Sequence, residues 1–597
     1  MKRLPDDDID ANDITEDTSS PKKKKLPNES HDFFWEHFCR QNCNPHFLEQ
    51  LKSGQMENKT PFKIPTFKKS TSYYIKRAFK EDINFHESSL PLENFSIQSK
   101  LLSNFKQISK YNTPLWNELY QIIGRYIDLC FVSDEDFTPL ICLHALNHIS
   151  RTRHLVIRNN QLLETSRAKG EVNDDIVEKC RDQGLARPKV LILCPFRKHA
   201  EVIVKTMIKI IFGSDDKPFV SNLSKFNDEF GDDGNRIHEK RDVSQEFKEL
   251  MSGNVDDCFR IGIGLAKKAL KLYTNFEESD ILLCSPLGLR MIIGDETEKK
   301  REYDFLASIE VMVVMHAHIL FMQNWDHMTN IFQTLNTIPN KIKADISRVR
   351  QWDLNDQSRY YRQTLVFSGI VYNCNYMVQL IDIDYLYVEI NSVEIQALFS
   401  RFCRNFSGQY SITRNQKSSL KKIKIPIIQG FFRFDYDKPE KQSDARFNFF
   451  INEVLPNCKS QTLVFISSYF DFVRIRNHLK RENDSFVQIH EYADKGKIAK
   501  ARNVFFRGEK RLMLLTERFH FYYRAKLKGI KSVVFYQLPV NPQFFTEILN
   551  MAQPETKLVS QVLYCEFDVI RMQNIFGIAE SKDFFDKGVK YRALLGE

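Results

Sequence analysis

The sequence predicts an α/β protein of two tandem domains, each on a parallel sheet, preceded by a partly disordered N-terminal extension. Two observations carry this. Four short runs, VLILC (190–194), DILLCSP (280–286), VMVV (311–314) and QTLVFSG (363–369), are apolar at their centres, as strands buried on both faces are. Helix-like amphipathic or charged stretches separate them, and alternation of this kind builds parallel sheets. A second set follows after about residue 395, with QTLVFIS (461–467), RLMLLT (511–516) and KSVVFYQLP (531–539).

From the N-terminus, residues 1–30 are acidic and polar, then turn basic at Pro21-Lys22-Lys23-Lys24-Lys25. So little apolar surface cannot offset the entropy of ordering, which predicts a disordered tail. The basic run is either a nuclear localisation signal or a solvated patch. Residues 31–114 mix aromatic clusters (Phe33, Phe34, Trp35) with basic stretches and form the N-terminal extension. The first domain is expected over 115–394, with residues 213–257, rich in Asp, Asn, Gly and Lys, as a surface insertion. The second is expected over 395–597.

Composition narrows the function classes. The chain has 597 residues, 42% hydrophobic and 27% charged, which fits a soluble globular protein of two or three domains. A net charge of +9 is compatible with an RNA or protein partner but establishes neither. The 12 cysteines form no C-x-x-C pair, which predicts reduced thiols rather than a zinc site or disulfides. No apolar run reaches membrane-spanning length, so no membrane partner is expected. No metal or cofactor is expected either.

Motif chemistry sharpens this. In nucleotide-triphosphate motors the strand equivalent to VMVV ends in acidic side chains that hold Mg²⁺ and position water. Here Met315, His316, Ala317 and His318 stand in that place. Histidines at i,i+2 can bind zinc, but a third ligand is not evident, and solvent-edge residues are the simpler explanation. His144 and His148 share a helix face at i,i+4, where core or capping roles outweigh a metal site. A P-loop needs glycines for backbone approach and a lysine for the terminal phosphates. The nearest string, Gly54-Gln55-Met56-Glu57-Asn58-Lys59-Thr60, is one residue short and lacks the second glycine. The region expected to hold the loop, near 143–157, has no Gly-Lys-Ser/Thr.

The order of motifs resembles that of DEAD-box helicases. Pro195-Phe196-Arg197 resembles the PTRELA element, Ser285–Arg290 the TPGR element, and Arg362–Gly369 the RQTLLFSAT element. Thr462–Phe465 resembles motif IV, and 512–521 lies where the ATD-x-x-x-RG element belongs. The resemblance implies two RecA-like domains. Motif VI normally supplies arginines to the transferring phosphate, yet Phe544–Asn550 contains none. Helicases use the PTRELA, TPGR and motif V elements to hold RNA phosphates and sugars. By that resemblance Arg197, Ser285, Gly288, Arg290, Thr516 and Arg518 are RNA-binding candidates; the alternative is that they hold loops together or face proteins.

Longer strings carry a closer likeness: LHALNH (143–148), RDQGLARPKVLILCPFR (181–197), DDCFRIG (256–262), SDILLCSPLGLR (279–290), MQNWDH (322–327), YYRQTLVFSG (360–369) and TERFHF (516–521). They resemble the digestive organ expansion factor family, a helicase-like nucleolar component of the small-subunit processome, over roughly 115–597. That family usually keeps part of an acidic pattern, so Met315 and His318 depart from it. The resemblance implies a nuclear, nucleolar assembly factor in early pre-ribosomal RNA processing for the small subunit. Its implied partners are pre-ribosomal RNA, the small nucleolar RNA particle and processome proteins, with one copy per particle. It does not imply ATPase activity; a residual ATP-dependent RNA helicase or nucleotide-gated clamp is the alternative. MQNWDH and TERFHF have no counterpart in active helicases. Trp325, Phe519 and Phe521 are therefore partner-interface candidates, with core packing the competing role.

Overall fold

Seven predicted runs form strands because their side chains can be buried on both sides. The computed structural model describes residues 32–39, 49, 58–61, 70–76, 91–108, 113–370 and 404–596, apart from 134, 215–217, 233, 235–242, 267–268, 295–300, 415–417, 553–557 and 586–589. The tail at 1–30, with its basic run, lies outside the described residues. Strands of the first sheet are β1 (Asn58–Pro61), β2 (Ser70–Lys76), β3 (Asp128–Val132), β4 (Val190–Leu193), β5 (Val220–Ser221), β6 (Arg260–Leu265), β7 (Leu270–Leu272), β8 (Ile281–Cys284), β9 (Val311–Val314), β10 (Gln363–Ser368) and β11 (Gln409–Arg414). Their order is β1-β2-β11-β3-β10-β9-β4-β8-β6-β7-β5. The stretch from β11 to β8 is parallel throughout. Every residue of β4, β8 and β9 is buried.

The second sheet contains β12 (Ile427–Arg433), β13 (Thr462–Ile466), β14 (Phe486–Ile489), β15 (Leu512–Thr516), β16 (Ser532–Phe535), β17 (Leu558–Tyr564) and β18 (Tyr591–Gly596). Its order is β14-β15-β13-β16-β17-β12-β18, parallel except for β18. Helices used below are α1 (Thr138–Lys169), α2 (Arg197–Phe212), α3 (Leu223–Phe230), α4 (Gln245–Leu250), α5 (Pro286–Ile293), α6 (Ala317–Met322), α7 (Trp325–Thr334), α8 (Tyr469–Arg481), α9 (Lys495–Phe506), α10 (Glu517–Tyr523) and α11 (Pro542–Leu549). The architecture is two tandem RecA-like α/β domains, as the sequence predicts.

Domain limits differ from the expected ones. β11 lies past residue 395 yet runs parallel to β3, and β2 from the extension pairs antiparallel with β11. The first domain therefore closes one side of its sheet with strands from both flanks. An unpaired edge leaves amide and carbonyl groups unmet, and pairing is indifferent to which part of the chain meets them. The 213–257 segment is more than a loop: α3 and α4 bury Phe226, Phe230 and Phe247. From the extension, Phe34 and Phe38 pack beside the His148 ring, 5.6 and 5.3 Å away, at the opposite end of the sheet from the helicase-like motifs.

Candidate functional site

In open α/β sheets, ligands meet the carboxyl ends of the strands. β3 occupies the position that leads into a P-loop, next to β10 and then β9. Its strand-to-helix turn reads Ser133-Asp134-Glu135-Asp136-Phe137. The region near 143–157, where the loop was expected, instead lies inside α1. The turn lacks glycine, and its acidic composition disfavours a phosphate where backbone amides would have to wrap it. One carboxylate already holds the helix start: Asp136 Oδ1 accepts from Thr138 N at 2.9 Å and from Thr138 Oγ1 at 2.6 Å. The Ser133 hydroxyl accepts from Glu135 N at 3.2 Å.

The degenerate acidic box follows β9. Met315 is buried, and its N–H donates to Leu193 O at 2.8 Å. His316 adopts a left-handed backbone, φ 52°, and starts α6. Its ring lies 4.3 Å from that of His199 on α2. His318 Nδ1 accepts from Gly369 N at 2.9 Å, tying the box to the end of β10. Burial pushes His316 down to about 4. Burial, then the charge of His316, pushes His318 down to about 3. Burial also holds His199 well below the usual range, followed by His316. Two neutral imidazoles stand where a motor keeps carboxylates, with that of His199 against one of them, and no metal-binding group of three ligands occurs among the described residues.

These shifts predict acid lability. A histidine with a lowered folded pKa stays neutral while the unfolded chain takes up its proton below pH 6.5, so stability falls with pH from about 6.5 to 4. Each such group contributes a slope of about 1.4 kcal/mol per pH unit. His144 adds to it: its ring bonds to Gln363 Oε1 at 2.7 Å, and burial pushes it down to about 3. Melting temperature measured against pH should drop through that window and flatten in His318→Asn, whose amide oxygen can still accept from Gly369. A flat wild-type profile would count against buried neutral histidines.

All six RNA-binding candidates have partners within the fold, and four of them are fastened or buried by it. Arg197 Nε pairs with Asp256 Oδ2 at 2.9 Å, its other nitrogens donate to the carbonyls of Glu229 and Cys258, and its guanidinium lies 5.0 Å from the Phe230 ring centre. It fastens the 213–257 segment to the sheet. Ser285 is buried and caps α5 by accepting from Gly288 N at 3.0 Å. Gly288 is pressed against the backbone of Phe259. Thr516 is buried, donates to Glu491 Oε2 at 2.8 Å and caps α10.

Arg290 and Arg518 are held as well, Arg290 by the Gly294 carbonyl and Arg518 by the Tyr492 hydroxyl, but each keeps part of its surface in solvent. Although they belong to different domains, their charges bear on the same side chain, His327 of α7. Burial first, then Arg290, lowers His327. Asp257 lies close enough for Arg518 and His327 to act on it as well; burial raises its carboxyl. The TPGR-like and motif V-like elements thus converge across the cleft.

Apolar packing closes the rest of that cleft. Phe196, Ile319 and Met322 of the first domain join the same core as Phe519 and Phe521 of the second. From α4, Phe247 lies 5.3 Å from the Arg524 guanidinium, which also covers Phe544 at 4.1 Å. Arg524 and His520 both donate to Glu547 Oε2 at 2.9 Å. Where motif VI would supply arginines, α11 therefore carries a carboxylate already paired. Trp325, Phe519 and Phe521 are all buried, and Trp325 packs 5.7 Å from Phe321. As partner-interface candidates they are corrected: these rings fill the protein's own cores. Asp136, His199, His327 and Glu547 were missed in the sequence. Of these, only Asp136 left a signal, in the acidic run directly after Leu129-Cys130-Phe131-Val132.

A family model described as "UTP25, NTP hydrolase-like domain" matches residues 126–382, and one described as "Utp25, C-terminal domain" matches 419–591. The chain is 37% identical over 560 residues to the U3 small nucleolar RNA-associated protein 25 homolog of Homo sapiens, covering 90% of this chain and 70% of the human one. The Mus musculus homolog is 37% identical over 518 residues, covering 83% and 64%. The chain thus spans about two thirds of the length of these relatives. Among solved structures it is similar to the yeast DEAD-box splicing factor Prp28, at 14% identity over 88% of each chain with a TM-score of 0.29.

Proposed function

The chain belongs to the UTP25 family, and from that membership we propose that it is a non-catalytic, helicase-shaped assembly factor of the small-subunit processome. We take the digestive organ expansion factor family to be this same family under another name. In this proposal the protein works in the nucleolus, in pre-ribosomal RNA processing and small-subunit biogenesis. It holds pre-ribosomal RNA, the U3 particle and processome proteins in place, as a single copy within the particle. The relatives' name, U3 small nucleolar RNA-associated protein 25, supports the setting.

One observation carries the non-catalytic part. The turn that would cradle phosphates is the acidic stretch Ser133–Phe137, with Asp136 occupying the amide and hydroxyl of Thr138. The missing acids after β9 and the paired Glu547 on α11 support it from two other catalytic positions. Arg290 and Arg518 are the residues best placed to hold an RNA backbone, since phosphate contact needs a cation within reach rather than chemistry.

The test is nucleotide binding and RNA-stimulated phosphate release by purified protein. Neither binding nor release above buffer is expected. Hydrolysis clearly above background would end the non-catalytic reading in favour of a residual helicase. In parallel, an Arg290→Glu/Arg518→Glu double variant should bind RNA about ten-fold or more weakly at low salt, with the loss shrinking as salt rises. Unchanged RNA affinity would remove these two arginines from the interface.

A further inference from the structure

The second sheet carries aromatic surface that neither folding nor the closed cleft uses. β14, β15 and β13 are neighbours and parallel, so the segments after them emerge side by side at one edge. Tyr492 follows β14, Arg518 follows β15, and Tyr469 and Phe470 follow β13. Phe470 is 78% exposed, more than any other large apolar side chain among the described residues, and Tyr492 is 65% exposed. Exposing two rings at one sheet edge forgoes the burial energy that orders the other aromatics of this chain.

The Tyr492 ring is braced rather than loose. It meets Tyr469 edge to face at 5.1 Å, and its hydroxyl accepts from Arg518 Nη1 at 3.4 Å. Tyr469 leans in turn on buried Phe472 at 5.6 Å. One ring edge and the hydroxyl are held while much of the ring surface meets solvent. The segment that follows it is rich in cations. α9, three residues on, exposes Lys495, Lys497, Lys500 and Arg502, against Asp494, which pairs with Lys497 at 3.1 Å. The nearby Glu491 is engaged by the Thr516 hydroxyl.

A braced exposed ring, a second exposed ring on the neighbouring segment and exposed cations on α9 match single-stranded nucleic acid, whose unpaired bases offer π-faces and whose phosphates seek cations. We infer that Tyr492 and Phe470 form a stacking platform for unpaired RNA bases, with Arg518 and the lysines of α9 receiving the adjoining phosphates. The inference rests on the RNA-holding function proposed above and adds its substrate class: single-stranded rather than duplex RNA. Base pairing hides the faces that the platform needs. An acidic protein segment would use the lysines, but its carboxylate side chains offer no flat π-face to stack on the two rings.

The test measures fluorescence anisotropy of the full chain with a labelled oligouridine, with a blunt RNA duplex and with a labelled polyglutamate peptide. Tyr492→Ala and Phe470→Ala should each weaken oligouridine binding about ten-fold, the loss of one stacked base, and leave duplex binding unchanged. Tyr492→Phe, which keeps the ring and loses the bond to Arg518, should stay within about two-fold of wild type. Both side chains are exposed, so melting temperatures should not move. Wild type that binds oligouridine, with both alanine variants binding equally well, overturns the platform alone. Equal losses for single strand and duplex also overturn it and leave only charge. Losses confined to polyglutamate would assign the surface to an acidic protein. Wild type that binds neither RNA overturns the RNA-holding function together with the platform.

Discussion

Glu310→Ala is expected to destabilise the first domain by about 3–5 kcal/mol, the scale for leaving buried charges without their partner. Glu310 immediately precedes β9 and is 1% exposed. Its Oε1 accepts from Arg350 Nη1 at 2.5 Å and pairs with Lys189 Nζ at 3.3 Å, while Oε2 lies 3.1 Å from His148 Nε2. Burial, the largest single influence, would raise its carboxyl; Arg350, then Lys189 and His148, together outweigh it and hold the carboxyl well below the usual carboxylate range. Its stabilising contribution is therefore present above the unfolded pKa of about 4.3 and is lost as pH falls below it. Arg350 also lies 5.8 Å from the Phe38 ring and 5.3 Å from the Trp352 ring, so the loss should loosen the N-terminal aromatic segment as well. Urea denaturation of wild type and variant reads the effect. Because the apolar alternative to a buried ion pair is often neutral, a Glu310→Leu/Arg350→Met double variant should recover part of the loss. A single-variant cost below about 1 kcal/mol would mean that the network is worth no more than a surface pair.

Gly288→Ala should cost about 3 kcal/mol or more, at the upper end for overpacking, because the obstacle is backbone rather than a movable side chain. A Cβ on Gly288 would lie 2.1 Å from Phe259 O, 2.7 Å from its carbonyl carbon and 2.9 Å from its nitrogen. Relief requires α5 to withdraw from the segment leading into β6, breaking the Ser285–Phe259 hydrogen bonds. Two roles for this glycine separate cleanly. If it serves close packing, melting temperature falls sharply. If it serves backbone approach to RNA, melting temperature holds and RNA affinity falls. The geometry predicts the first, and an unchanged melting temperature would defeat that account.

Much of the fold was legible in advance. The runs at β4, β8, β9, β10, β13, β15 and β16 identify themselves because burial on both faces demands uninterrupted apolar residues. β3 escaped: Asp128–Val132 is short, opens on an aspartate and adjoins a helical pattern, so the phosphate-site turn was sought one element too late. β12, β14, β17 and β18 escaped for a related reason. They carry polar residues such as Gln429, Gln488 and Ser560, which interrupt the apolar run by which a strand buried on both faces is recognised.

The candidate site divides in the same way. By itself the sequence determined the absences: no Gly-Lys-Ser/Thr, no acids after β9, no arginine in Phe544–Asn550. A missing residue type is missing in any fold. Only the tertiary structure decided how the residues that are present are used. Arg197 and Arg518 look alike in sequence, yet one is bound to Asp256 and two carbonyls while the other lies beside an exposed tyrosine. The Glu310 network unites residues from positions 148, 189, 310 and 350, and β11 finds β3 across some 280 residues. Burial writes itself into local composition; the identity of a charge's partner or an edge strand's neighbour does not, because Coulomb attraction and backbone hydrogen bonds act between whatever groups the fold brings together.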